Sequence, residues 1–364
     1  MLKDLCFEII ETCPNNCLFC SSCSSINKEK LIEYKKFKEV IDYFMSIGGI
    51  KEISLSGGEP LLHPELLRMI RYCKLNNIKT VLLTSGIKKR FKMSESDREQ
   101  LEFNLRKSYK SYLSEGMPKD EYEKLISKQM SIYLSYDEKK YDHLSTYDCK
   151  LLKGNGLDKI VFDFEAWDRN IYDKIMGTKD LFDLVTLSMI KAKSSGLNTD
   201  AHFIPTKINY KELEDIIEML NVAEFDELSI LNFVPQGRGK INEDLLSLSE
   251  NEFKEFIEIF NRCKDKFKGN LRVGIHLQGE DTHKCTAGLS KLVIKYDGTV
   301  LPCAAFKEYD LKTLNSIGIK TPNIYDNLEE VELHSGTRKK PLCKQLYHFN
   351  KVIKWGGTNE NRKV

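Results

Sequence analysis

Cys13, Cys17 and Cys20, spaced C-x3-C-x2-C, are the residues best suited to chemistry in this chain. Three thiolates on one short loop can hold three irons of a 4Fe-4S cubane, which normally takes four ligands, so one iron stays open to something other than protein. An open iron is a place to do chemistry. Structural zinc is the alternative reading. It favours closed sites with four protein ligands, and Cys23 is at hand to close one. Disulfides fit poorly, because they need an oxidising compartment and the opening Met-Leu-Lys-Asp-Leu-Cys-Phe-Glu-Ile-Ile lacks the apolar h-region of a secretion signal.

A second motif, Gly57-Gly58-Glu59-Pro60, follows the strand-like run Glu52-Ile53-Ser54-Leu55-Ser56. Glycine lets backbone approach a ligand with no Cβ between, a neighbouring carboxylate supplies a charge-assisted acceptor for an ammonium, and proline fixes the exit of the chain. Alone the four residues read as an ordinary turn. One strand after a three-cysteine loop they are far more specific.

The two motifs in this order resemble those of the radical S-adenosylmethionine (radical SAM) enzymes. Their cluster loop carries an aromatic residue before the third cysteine, where this chain has Phe19. The resemblance implies that Phe19 lies near the adenine of the cofactor and that Gly57 to Pro60 bind its methionyl amino group. It also implies a partial (βα)6 barrel with ligands at the carboxyl ends of the strands.

The elements needed for that placement are present in the pattern. Strand-like and helix-like segments alternate as in parallel βα units. Strands are expected at about Leu5–Ile10, up to Ser56, Thr80–Thr84, Lys159–Phe164, Asp200–Ile204 and Glu227–Val234. Leu31–Ile47, with Phe37, Val40, Ile41, Phe44 and Ile47 at helical spacing and Gly48 as its stop, and Glu65–Leu75 read as the first two helices. Ser85-Gly86 ends the third strand, and Asp163 and Glu165 end the fourth. The resemblance makes Ser85 and Asp163 candidates for polar contact with the cofactor. Relatives commonly read Ser-Leu-Asp-Gly-Pro at that fourth strand, whereas this chain has Asp163 in place of the serine and Glu165 in place of the aspartate.

The barrel-like region is expected to cover 1–240 and an extension 241–364. Between the third and fourth strands, Ile87 to Asp158 is long, charged and tyrosine-rich, with helices expected at Asp97–Leu113 and Lys119–Leu134. It reads as a helical hairpin, either a lid over the barrel mouth or a solvated insertion. Asn232 to Gly239 links barrel to extension; Arg238 is there to meet a substrate carboxylate, or the segment is a plain Pro/Gly linker.

In the extension, Cys285-Thr-Ala-Gly288 precedes Lys291 to Cys303, and Asp297-Gly298 between β-rich runs is a hairpin turn that sets Cys285 and Cys303 on its flanks. With Cys343 they resemble the auxiliary-cluster extensions called SPASM or twitch domains, although three cysteines suffice for one cluster only. His276, His283 and His348 are candidates for a fourth ligand, and structural zinc is again the alternative. Cys23, Cys149 and Cys263 are either hydrogen-atom donors or inert buried thiols. Arg338 to Val364 forms a basic tail, a possible strip for an acidic partner.

Composition narrows the class without choosing the substrate. The chain has 364 residues, 41% hydrophobic and 30% charged, enough for a large α/β domain and a smaller one. Its net charge of +2 gives no global field for nucleic acid. No apolar run reaches the ~18 residues of a membrane span. Eleven cysteines without a secretion signal suit a reducing, cytoplasmic setting.

The resemblance implies two cofactors, a 4Fe-4S cluster on Cys13, Cys17 and Cys20 and S-adenosylmethionine, with an auxiliary cluster on the extension and an electron donor such as flavodoxin or ferredoxin. Reductive cleavage would yield a 5′-deoxyadenosyl radical that takes hydrogen from substrate. A peptide or protein side chain is the expected substrate and a small molecule the alternative. Outside the class stands a zinc-binding interaction protein, which leaves Gly57 to Pro60 unexplained. Against the peptide reading, many peptide-modifying relatives begin with a separate leader-peptide recognition domain, whereas here the barrel is expected to start almost at Met1.

Overall fold

The computed structural model describes residues 1–90, 92, 94–137, 140–274, 285–307, 309, 311–316 and 318–331. Cys343, His276, His283, His348 and the basic tail lie outside these residues. The chain divides into two compact units, Lys88–Asp142 and the remainder.

The larger unit is built on βα repeats. Strand β1 (Asp4–Ile10) is followed by helix α1 (Tyr34–Ser46), β2 (Glu52–Gly57), α2 (Leu66–Leu75) and β3 (Lys79–Thr84). After the insertion come α6 (Thr146–Asn155), β6 (Lys159–Asp163), α7 (Arg169–Met176), α8 (Phe182–Ser194), β7 (Asn198–Phe203), α9 (Leu213–Val222) and β8 (Glu227–Ile230). These six strands lie parallel in the order β1-β2-β3-β6-β7-β8, as the alternating pattern predicts.

Three further strands extend the sheet. Past the helix Glu250–Cys263, β9 (Asn270–Val273) adds parallel to β8. Strand β10 (Lys291–Ile294) pairs parallel with the free edge of β1, from Asp4↔Lys291 to Phe7↔Ile294, and β11 (Val300–Leu301) folds back on β10. The sheet thus runs on without a break past residue 240. Two ends that would be open edges in a six-stranded sheet are covered by segments from the C-terminal third.

Alternation along the strands separates two faces. On β1, Leu5, Phe7 and Ile9 are fully buried, and Phe7 meets Phe37 of α1 with ring centroids 5.3 Å apart. The opposite, inner face is unusually polar for a parallel sheet, whose strands generally read as continuous apolar runs. By register it carries Cys6 and Glu8 on β1, Ser54 and Ser56 on β2, Asp163 on β6, Asp200 and His202 on β7, Ser229 on β8 and Arg272 on β9.

The smaller unit is shorter than the expected insertion of Ile87 to Asp158: two short paired strands, β4 (Ile87–Lys89) and β5 (Tyr141–His143), stand at its ends, and α6 belongs to the larger unit. Its helices are α3 (Glu95–Ser108), α4 (Lys110–Ser114) and α5 (Lys119–Asp137), so the helix expected to reach Leu113 breaks at Tyr109. Leu105, Tyr122 and Ile126 form its own small core, and Arg106 forks onto Glu123 at 2.9 Å through both terminal nitrogens.

Candidate functional site

The three cysteines sit on the loop that leaves the carboxyl end of β1, and backbone contacts grip that loop from several directions. The amides of Asn16 and Leu18 donate to Met176 O and Ile175 O at the end of α7, at 3.0 and 2.9 Å. The chain turns away there at Gly177 (φ 64°), where a Cβ would stand 2.2 Å from Asn16 O. Arg238 donates from Nε to Cys17 O at 2.9 Å and from Nη2 to Ser24 O at 2.8 Å, and its own amide donates to Cys20 O. Asn242 adds a bond to Leu18 O at 3.0 Å. Arg238 is therefore a clamp on the cluster loop. The plain-linker reading gives way to this geometry; two of the five guanidinium N–H donors are used on backbone acceptors, and among the described residues the charge itself is not paired.

Gly57 to Pro60 lie flush against the same loop. Gly58 N donates to Ile10 O at 2.6 Å and Glu59 N to Thr12 O at 2.8 Å. A Cβ on Gly58 would stand 2.2 Å from Thr12 O, so glycine is required by close backbone approach. Glu59 is 1% exposed and saturated with donors. One oxygen accepts from Leu61 N at 3.0 Å and from the Thr84 hydroxyl; the other accepts from Ser85 N at 2.8 Å and Ser85 Oγ at 2.6 Å. Burial nonetheless pushes its carboxyl up to about 7, against the lowering effect of those bonds. Through Glu59, the ends of β2 and β3 become one rigid corner.

Asp163 ends β6 on the inner face, half-exposed, with His202 Nδ1 3.6 Å away on β7. Glu165 turns instead into the core. It is fully buried, Oε2 accepts from Ile204 N at 2.9 Å, and burial holds its carboxyl well above the carboxylate range, with Asp163 adding to the effect.

Burial pushes the Cys13 and Cys17 thiols up; Glu59 and Cys20 add to the effect on Cys13, and Cys13, Cys20 and Asp163 add to it on Cys17. The site thus gathers the three cysteines, Glu59 and Asp163, with Ser85 held by Glu59. Phe19 is half-buried on the same loop. Among the described residues no three His, Cys, Asp or Glu side chains converge on a single-ion geometry.

The extension hairpin forms as expected. Asp297-Gly298 makes the turn between β10 and β11, and Cys285 and Cys303 meet in one apolar cluster with Val293, Leu301, Phe306, Leu314 and Ile319. Cys6 of β1 packs against that cluster. Sequence reasoning passed over Cys6, Glu8, His202 and Lys307. The one signal it had for Glu8 and His202 was a polar residue in the inward register of a strand.

Comparison with known proteins agrees with this geometry. The model of the Radical SAM superfamily matches residues 7–106, which span the cysteine loop and Gly57 to Pro60. Residues 7–106 of the chain form a radical SAM domain. Its sequence is 25% identical over 342 residues to a protein named "Probable GTP 3',8-cyclase" of Methanococcus aeolicus, covering 88% of this chain and 89% of that protein. Among solved structures, Streptococcus suis SuiB bound to S-adenosylmethionine is similar with a TM-score of 0.55 at 16% identity. The match covers 90% of this chain but only 64% of SuiB. AnSMEcpe bound to AdoMet and a Cp18Cys peptide is similar with a TM-score of 0.55 at 15% identity, over 97% of this chain and 82% of the other. The radical SAM fold accounts for the six parallel βα units, and among the described residues no helix is long and apolar enough to cross a membrane.

Proposed function

We propose that this radical SAM enzyme takes a hydrogen atom from a peptide or protein side chain, as a maturase that forms a crosslink, a thioether or an epimer. Cys13, Cys17 and Cys20 would hold the 4Fe-4S cluster, and Gly57, Gly58, Glu59, Pro60, Phe19, Ser85 and Asp163 would line the place of S-adenosylmethionine. When bound, cluster and cofactor together supply reductive cleavage of the sulfonium and a 5′-deoxyadenosyl radical.

The chain's own contribution is position and exclusion of water. Arg238, Asn242 and the end of α7 fix the loop carbonyls, which leaves the thiols to the metal. Glu59 holds the Ser85 hydroxyl in place rather than leaving it to rotate. Asp163 presents a half-exposed carboxylate on the inner face close enough to Cys17 to influence it. Cys285 and Cys303, with Cys343, would carry an auxiliary cluster, and a flavodoxin or ferredoxin would deliver the electron in a cytoplasmic setting.

The observation that carries the peptide reading is the state of the basic groups around the site. Among the described residues Arg238 is bound to backbone carbonyls, Lys307 to Glu8, and Lys295 to Asp297 at 3.0 Å. Lys307 and Lys295 are paired with carboxylates, so a polyanionic substrate would have to displace Glu8 or Asp297 to use them, whereas a peptide would not. The second reading, a nucleotide or other small molecule, is favoured by the sequence match to the Methanococcus aeolicus protein over most of both chains. The two are separated by anaerobic reconstitution with dithionite and S-adenosylmethionine, followed by 5′-deoxyadenosine measurement with GTP or with peptides encoded beside the gene. Stimulation by peptide and a mass change on it support the proposal. Stimulation by GTP alone overturns the substrate, and no 5′-deoxyadenosine under any condition overturns the chemistry.

A further inference from the structure

Lys307 follows the short turn Ala304–Phe306, whose Phe306 is buried in the core of the extension. Its side chain leaves that core for the inner face of β1. The ammonium donates to Glu8 Oε1, to Ser22 Oγ at 3.0 Å and to Ser21 Oγ at 3.2 Å, and Ser22 Oγ itself donates to Glu8 Oε1 at 2.8 Å. A lysine has three N–H donors, and all three are used. The side chains of Lys307 and Glu8 are 10% and 1% exposed.

A buried ion pair is poor evidence of added stability, because desolvation offsets its attraction. Its value lies in the geometry it imposes. Ser21 and Ser22 come directly after the third cysteine of the loop. The other grips on that loop, from α7 and from Arg238 and Asn242, reach it through Asn16 to Leu18, Cys20 and Ser24. Among the described residues, Lys307 ties the apolar core of the extension to side chains of the loop, beside the bond from Asn242 to the Leu18 backbone.

We propose that Lys307 is a positioning residue that latches the C-terminal extension onto the cluster loop, so that the segment from Cys20 to Ser24 is ordered only when the extension is docked on β1. The latch stands on these hydrogen bonds; its effect on a cluster rests on the function proposed above.

The test compares full-length wild type with Lys307→Met, with Glu8→Met/Lys307→Met, and with Ser21→Ala/Ser22→Ala. Hydrogen exchange is read on the metal-free protein, and iron content and the electron paramagnetic resonance spectrum are read after reconstitution. Lys307→Met is expected to speed exchange of the amides from Cys20 to Ser24 at least tenfold while leaving α9 unchanged, and to at least halve the iron retained. The Glu8→Met/Lys307→Met pair removes the buried charge from both sides, so it is expected to regain global stability but not loop protection. Ser21→Ala/Ser22→Ala leaves the ion pair in place and is expected to loosen the same amides, which keeps the test decisive if Lys307→Met does not fold. Wild-type loop exchange in Lys307→Met or in the serine variant overturns the latch, and so does full loop protection in the double methionine variant. A wild type that binds no iron sinks the proposed function, while the exchange experiment still decides the latch.

Discussion

Glu59→Gln is the substitution whose outcome the geometry fixes most tightly. Two of the four donors to Glu59 are backbone amides, one on each oxygen, from Leu61 and Ser85. Hydroxyls can turn round and accept a proton, but amides cannot. A protonated Glu59 can therefore donate to Thr84 or Ser85, whereas the NH2 of glutamine must face one backbone N–H whichever way it is flipped. One buried donor is left unsatisfied, at a cost of about 1–3 kcal/mol. The wild type carries an opposing debt. With the carboxyl raised from 4.5 to about 7 in the folded state, the folded protein holds more protons than the unfolded one in that window, so wild-type stability falls as pH rises through it. At 1.36 kcal/mol per pH unit the fall amounts to about 3 kcal/mol. Glutamine does not titrate, so the lead of wild type over Glu59→Gln is expected to be largest near pH 4, below the unfolded value, and to shrink by about 3 kcal/mol by pH 8. Urea unfolding of the metal-free protein at half-unit steps of pH measures it. A gap that does not change with pH, or that widens as pH rises, would refute the reasoning, the second because it would mean that four donors outweigh burial and lower the carboxyl.

Other substitutions test other parts of the site. Gly58→Ala places a methyl 2.2 Å from Thr12 O and is expected to cost about 1–3 kcal/mol and to reduce iron per chain after reconstitution; a fully loaded variant of wild-type stability would remove the close-approach argument. Arg238→Lys keeps the charge but cannot span Cys17 O and Ser24 O together, so lower iron retention is expected, read by iron analysis after gel filtration, and wild-type retention would show that the clamp is dispensable. Replacing Cys13, Cys17 and Cys20 with alanine is expected to abolish S-adenosylmethionine cleavage, and Cys285→Ala/Cys303→Ala to lower iron from about eight to about four per chain at four per cubane. Eight irons in the latter variant would detach those two residues from any cluster.

What the sequence made legible is what is local. Cys13 to Cys20 and Gly57 to Pro60 are contiguous motifs, and the helix over Tyr34–Ser46 falls inside the expected Leu31–Ile47 because Phe37, Val40, Ile41 and Phe44 recur on one face. What it hid depends on partners far along the chain. Lys291 reaches β1 by pairing with Asp4, and no pattern inside Lys291–Ile294 names that partner. Strand β9 is four residues long and mostly exposed, too short for alternation to register. Arg238 stands in a Pro/Gly-rich stretch, and only folding brings it to Cys17. A general rule would have flagged Glu8 sooner: a charge in the inward register of a parallel strand needs a partner, and β1 offers none of its own.

The same rule bears on whether barrel and extension are separable. Charges at the amino ends of the strands on the inner face are matched across neighbours: Glu52 with Lys79 at 2.7 Å, Lys159 with Asp200, and Glu227 with Arg272 at 3.4 Å. Each of these pairs closes between adjacent strands. On β1 the pairing has a different source, since Asp4 meets Lys291 at 2.7 Å and Glu8 meets Lys307, both from the extension. A chain cut after residue 240 would leave the β1 edge unpaired, strip Glu8 of its cation while it stays inside the sheet, and uncover the face that β10 protects. Removing one partner of a buried pair typically costs about 3–5 kcal/mol, a large share of the stability of an ordinary domain. Extension and barrel therefore belong to one cooperative unit, as their common compact unit also implies. The loop that carries Cys13, Cys17 and Cys20 inherits its order from both.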